Sequence, residues 1–126
     1  MKAELRTYIL ADADVSAIIG TRLYPEVAHQ QDGSNAYAIY KTLNSTTVDT
    51  HSDDGILYED LIDLSIHAPN VTQMYELSDA LRAILSNKRI TLSPYNLHIR
   101  WTGMNTGYTD NDEIASASIT LDITWS

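Results

Sequence analysis

The sequence predicts an α+β domain: an antiparallel sheet of about four strands, made of two hairpins, with helices packed on one face. Two observations carry this expectation. Four segments alternate apolar and polar residues, and between the second and third lies a segment whose apolar residues recur every three or four positions. At 126 residues the chain has room for one core, so the domain is expected to run over residues 1–126.

In chain order, Leu5, Tyr8 and Ile9 fall at helical intervals, which predicts a short helix over Ala3 to Leu10. Asp14 is the expected N-cap of a second turn through Ile19, and Gly20 sits where helices end in a left-handed residue. Arg22 to Pro25 reads as a brief extended piece, and Glu26 to Asn35 as a polar loop. Ala36 to Leu43 is the first full strand, with Tyr37, Ile39 and Leu43 on one side and Ala38, Tyr40 and Thr42 on the other. Asn44 to Gly55 offers little to bury and ends in Asp-Gly, so a long hairpin tip is expected there. The return strand, Ile56 to Ala68, aligns Ile56, Tyr58, Ile62, Leu64, Ile66 and Ala68, interrupted by Asp60. Its other side, Glu59 to His67, is largely polar, which gives the sheet one dry face.

Pro69 ends that strand. Asn70 and Gln73 have capping-box spacing, and Met74, Leu77, Leu81, Ile84 and Leu85 then form a stripe suited to the dry face, with Asn87 as a C-terminal cap. Tyr95 to Thr102 and Ala115 to Trp125 alternate as the second hairpin, and Gly103 to Glu113 reads as its long polar tip.

Composition excludes several functions. With 17 acidic against 8 basic residues the net charge is −9, which repels a phosphate backbone and argues against dedicated nucleic-acid binding. The absence of cysteine removes disulfides, thiol nucleophiles and Cys-ligated metals. No apolar run approaches the ~20 residues of a membrane span. Phosphate loops, metalloprotease helices, serine elbows and calcium loops are missing from the sequence. Asp49, His51 and Asp53 are the best metal-ligand candidates, but they lie in a stretch expected to be a solvated tip. Asp110, Asp112 and Glu113 make a weaker set. Of the histidines His29, His51, His67 and His98, the third and fourth fall on the polar sheet face and are candidate cross-strand neighbours. No catalytic set, metal or cofactor is assigned.

Charge is segregated. Residues 42–81 hold acids without Lys or Arg, whereas residues 82–100 hold Arg82, Lys88, Arg89 and Arg100 without Asp or Glu, a pattern suited to head-to-tail association.

Leu5 to Asp12, Val15, Ile19-Gly20-Thr21-Arg22-Leu23-Tyr24-Pro25-Glu26-Val27-Ala28, Tyr37 to Tyr40, Ile66-His67-Ala68, and Leu77 with Ala80, Leu81 and Arg82 together resemble the tail-completion family of long-tailed bacteriophages. These are the head–tail joining, or tail-terminator, proteins, lambda's among them. The family commonly has Pro where this chain has Ala36, and the C-terminal third matches mainly by strand pattern.

The resemblance implies a non-enzymatic virion protein assembled in the host cytoplasm. Its subunits are expected to form a hexameric ring that caps the tail tube, stops tube growth and meets the head connector. Expected partners are further copies of the chain, the tube protein and the connector, with DNA passing through and no membrane or cofactor involved. Asp49, His51, Asp53, Asp54, Met104, Asn105 and Tyr108 are expected at subunit, tube or connector contacts. Asp49, Asp53, Asp54, Glu59 and Asp63 are expected along the channel, where negative charge keeps DNA from sticking. Two other classes fit the composition: a small acidic binding or inhibitor module, and a metal-dependent hydrolase using Asp49, His51 and Asp53.

Overall fold

A computed structural model of the chain describes residues 1–26, 35–49, 56–109 and 114–126, with backbone alone at Val48, Asp49, Ile56, Tyr108, Thr109 and Ile114. The elements run α1 (Lys2–Ala11), α2 (Ala13–Ile19), β1 (Leu23–Pro25), β2 (Tyr37–Asp49), β3 (Ile56–Ala68), α3 (Val71–Leu85), β4 (Lys88–Leu92), β5 (Tyr95–Thr109) and β6 (Ile114–Trp125). The class is α+β, but the sheet has six strands instead of four, in the order β1-β2-β3-β6-β5-β4.

Both extra strands are short pieces at the margins. Leu23–Pro25 lies parallel to the start of β2, pairing Leu23 with Ala38 and Pro25 with Tyr40, so the sheet is mixed. Lys88–Leu92 turns back at Ser93–Pro94 and pairs antiparallel with Tyr95–Ile99. Its alternation is too brief to register as a strand in the sequence; the pairing with β5 stabilises it.

As far as they are described, the two expected tips are strand. β2 pairs with β3 as far as Asp49 and Ile56, and β5 pairs with β6 as far as Thr109 and Ile114. Polar residues such as Thr46 and Thr106 carry no burial signal, yet their backbone groups continue the ladders. Each ladder contains one irregularity, between Thr42 and Asn44 in β2 and between Trp101 and Gly103 in β5. A bulge adds one residue to a strand and exchanges the two sides of all that follows. Leu43 is therefore left 51% exposed, while Ser45 joins the helix side. In β5 the inward series Leu97, Ile99, Trp101 continues at Met104, packed against the core.

The three helices cover the face formed by Ile62, Leu64 and Ile66 of β3 and Ala117, Ile119, Leu121 and Ile123 of β6. Leu5 and Ile9 of α1, Val15 and Ile19 of α2, and Met74, Leu77, Leu81 and Leu85 of α3 meet them. Burying each such side chain contributes about 1.5–3 kcal/mol. Asn70 caps α3 by accepting from the Gln73 N–H at 2.8 Å, as its spacing predicts. Helix α3 ends at Leu85 with Ser86 in the cap position, and Asn87 follows with φ 53°.

The cap of α2 is Asp12, not Asp14: its Oδ2 accepts from the Val15 N–H at 3.0 Å. Asp12 thus ends α1 and begins α2 with one extended residue. Gly20 has φ 59°, a region that side chains disfavour. It lets the chain reverse so that Arg22 reaches back. Arg22 Nη2 donates to the Ile18 carbonyl at 3.1 Å and Nε to the Ala36 carbonyl at 2.8 Å, joining α2 to the start of β2. Arg6 likewise donates to the Leu23 and Thr21 carbonyls. The Gly-Thr-Arg-Leu-Tyr-Pro run is therefore a clamp between helices and sheet.

Asp12→Ala should cost about 1 kcal/mol of stability in urea unfolding, whereas Asp14→Ala, losing only a first-turn charge, should cost ~0.3 kcal/mol. Equal losses, or the reverse order, would contradict this cap assignment.

Candidate functional site

Among the described residues, the helices lie on one face of the sheet and leave the other open. It is built from the alternate residues of β3 (Glu59, Leu61, Asp63, Ser65, His67) and β6 (Ser116, Ser118, Thr120, Asp122, Thr124), all of them half-buried, with Lys41 of β2, His98 and Arg100 of β5, and Arg89 of β4 alongside. Direct cross-strand neighbours satisfy much of this polarity. Asp63 accepts from Ser65 Oγ at 2.8 Å and from Ser118 Oγ of the adjacent strand. Arg100 and Asp122 are opposite one another and form an ion pair at 2.5 Å. The second Asp122 oxygen is buried without a partner.

The charge segregation of the sequence persists on the surface. Glu59 and Asp63 lie on β3, while Arg89, His98 and Arg100 gather at the β4–β5 margin around a shallow depression of about 480 Å³, with Thr91, Asn96 and Thr124 beside them. On the helix side, Asp14, Glu76 and Asp79 border an open groove of about 450 Å³ between α2 and α3, floored by Ala17, Ile18, Ala80 and Ala83. Arg82 is occupied otherwise, with its guanidinium 5.1 Å from the centre of the Trp101 ring.

His67 and His98 share the open face but are not neighbours. His67 is opposite Ser116 and His98 opposite Thr124, so 124 − 116 = 8 residues of β6 separate them, about 26 Å. His67 stacks on Tyr37, its cross-strand partner, at 4.7 Å between ring centres. His98 faces Asn87, 3.3 Å from its Oδ1. Burial holds the His67 imidazole below its ordinary pKa and raises the Tyr37 hydroxyl.

Asp60, the interruption in the apolar series of β3, is only 3% exposed. Its Oδ1 accepts from Ser45 Oγ at 2.5 Å and its Oδ2 from Trp125 Nε1 at 2.9 Å. Trp125 in turn stacks on Tyr58 at 4.5 Å and meets the edge of Tyr95 at 5.3 Å. This corner fixes the last strand to the β2–β3 hairpin. Three elements meet in it, and the β2 bulge is needed to turn Ser45 inward, so no sequence spacing announces it.

Of the expected contact residues, Asn105 is exposed on β5, and Met104 points inward with its sulfur 3.1 Å from Ser78 Oγ. Asp49 and Tyr108 end their strands, with backbone alone described. His51, Asp53 and Asp54 lie outside the described residues, as do His29, Asp110, Asp112 and Glu113. Of the expected channel residues, Glu59 and Asp63 share the open face. Among the described residues no group of three or more His, Cys, Asp or Glu side chains is placed to hold a metal, and no helix is long and apolar enough to cross a membrane.

No family model matches the sequence, and no curated protein does. Solved structures do match. A chain of the virion of a native gene transfer agent particle superposes with a TM-score of 0.74 at 14% identity, over 99% of this chain and 93% of its own. A second solved chain aligns with a TM-score of 0.61 at 13% identity, over 100% of this chain and 96% of its own. These likenesses show a shared fold.

Because burial lowers the His67 pKa, folding stability depends on pH. Between the folded value and the unfolded value of about 6.5, the unfolded chain binds the extra proton, so stability rises with pH across that window. Urea midpoints measured from pH 7.5 down to 5.5 should fall for the natural chain, and fall less for His67→Gln. Identical slopes would show that the burial of His67 carries no pH dependence.

Proposed function

We propose that the chain is a structural protein of a phage-like virion. The observation that carries this reading is the end-to-end likeness to a chain of the gene transfer agent virion, which spans 99% of this chain and 93% of that one. The finer reading follows from the sequence resemblance to tail-completion proteins. Copies of the chain form a ring, expected to be a hexamer, at the head-proximal end of the tail. The ring caps the tube, ends its polymerisation and joins it to the head connector, without catalysis or a cofactor.

The surface is compatible with such a role. An open, polar sheet face suits a wall past which a polyanion moves, and Glu59 and Asp63 on β3 are assigned to that wall together with Asp53 and Asp54, whereas Asp49, paired with Ile56, falls at a helix-side register position. Lys41, Arg89 and Arg100 share that face, and Glu59, Asp63 and Asp122 offset their charge, which reduces the counterion release by which a basic lining would retain DNA. Contacts with neighbouring copies, tube or connector are assigned to Asp49, His51, Asp53, Asp54, Asn105 and Tyr108, and not to Met104, which packs inward against Ser78. The separate acidic and basic surfaces favour heterologous association, in which one surface of a copy meets a different surface of the next.

Disruption of the gene in the strain that makes the particle should give DNA-filled heads without tails, and free tubes of uncontrolled length, in negative-stain images. Joined particles of normal tail length would overturn the tail-completion reading.

A further inference from the structure

The outer margins of the sheet are only partly covered. β1 pairs with β2 from Ala38 to Tyr40, and β4 pairs with β5 from Tyr95 to Ile99. Beyond those points, among the described residues, β2 has β3 as its one strand partner and β5 has β6. Among the described residues two backbone edges are thereby without a partner, at diagonally opposite corners of the sheet.

Their sequences are unusual for edges. Residues 42–48, Thr-Leu-Asn-Ser-Thr-Thr-Val, and residues 103–109, Gly-Met-Asn-Thr-Gly-Tyr-Thr, contain no charge and no proline. Natural sheets blunt a free edge with charged side chains, proline, bulges or short strands. The covering strands follow that rule: β4 begins with Lys88 and Arg89, and β1 is three residues long and ends in Pro25. On β2 and β5 the bulges stand at the near end of the open stretch, and the ladders are continuous from Asn44 to Asp49 and from Gly103 to Thr109. Residues 43–47 and 105–107 are exposed.

We propose that these edges pair with each other between copies: β2 of one chain adds antiparallel to β5 of the next, making a continuous intermolecular sheet. The inference deepens the virion reading above and rests on it in taking a second copy as the occupant. Direction permits the pairing. β2 runs antiparallel to β3, β3 to β6 and β6 to β5, so β2 and β5 of one copy run in opposite senses. In copies placed side by side with the same orientation, β2 of one therefore meets β5 of the other antiparallel. Full overlap of the two uncharged runs sets Thr46 opposite Asn105 and Val48 opposite Gly103.

The offset between the edges determines what the copies build. Within one copy, Thr46 aligns through Glu59 with Thr124, whereas Asn105 aligns with Ser118. Each added copy is therefore displaced by 124 − 118 = 6 residues along the strands, or about 20 Å. Four strands, β2, β3, β6 and β5, separate successive junctions and span about 19 Å at the usual inter-strand distance. The resulting slope tilts the strands by roughly 45°, at the upper end of the tilt that closes a sheet into a barrel. Helices on one face leave the open polar face as the inner wall of such a barrel.

Directly opposite residues of an antiparallel pair have Cα atoms about 4.5–5.5 Å apart, within disulfide reach. The natural chain has no cysteine to interfere. Thr46→Cys and Asn105→Cys variants should be mixed, oxidised and resolved on a non-reducing gel, with light scattering on the same samples. The expected product is the mixed dimer in at least tenfold excess over either symmetric dimer, and a ladder of covalent multimers from the double variant. Asn105→Lys should abolish assembly without changing the circular dichroism, and Thr46→Glu in the same chain should restore it.

Oligomers by light scattering with symmetric dimers, or with no cross-link, would overturn the edge pairing and leave the ring reading standing. A monomer at every concentration, without a cross-link, would overturn both.

Discussion

Among the described residues, helices cover this sheet on one side only, and most of the structure follows from that constraint. A strand covered on one face must alternate, and β3 and β6 do so along nearly their whole length, with Ile62, Leu64, Ile66, Ile119, Leu121 and Ile123 buried under the helices. Their intervening residues, Asp63, Ser65, Ser118 and Asp122 among them, must then find polar partners on a face with no layer above it. They find them across strands, in the Asp63 carboxylate shared by two serines and the Arg100–Asp122 pair. The open face is a consequence of the covered one.

The bulges in β2 and β5 modify this rule where the covering strands give out. By exchanging sides, the first brings Ser45 beneath the sheet to reach Asp60, and the second turns Met104 toward Ser78. A carboxylate buried without hydrogen bonds would be costly. Asp60 is held by a hydroxyl and an indole N–H, and the same indole stacks on Tyr58. The C-terminal strand, the first hairpin and the β2 bulge are thus fastened at one corner. Beyond the bulges the strands become uncharged, exposed edges.

Periodicity made the central layers legible. The helix stripe Met74 to Leu85, its Asn70 cap and the alternation of β3 and β6 are local signals, and local signals decide those elements. What escaped was set by pairing across the sheet. β4 is five residues that β5 holds in place, and Thr46 or Thr106 belongs to a strand only because a partner ladder extends that far. Asp12 caps α2 in place of the expected Asp14 because one residue both ends α1 and begins α2. For the site, the polarity of the open face was visible in the alternation. The separation of His67 from His98 depended on register, which no single strand records.

Among the described residues the sheet has one dry face, one polar face and two edges without a strand partner. Its fold is shared with a chain of a gene transfer agent virion. In the proposed assembly, copies of the chain enclose a channel with the open sheet face inward. A cryo-electron microscopy reconstruction of the assembled oligomer tests this most directly. Glu59, Asp63 and Asp122 should line the lumen, with α1, α2 and α3 outside. A ring with the helices toward the axis and the open sheet face on its outer rim would contradict the account.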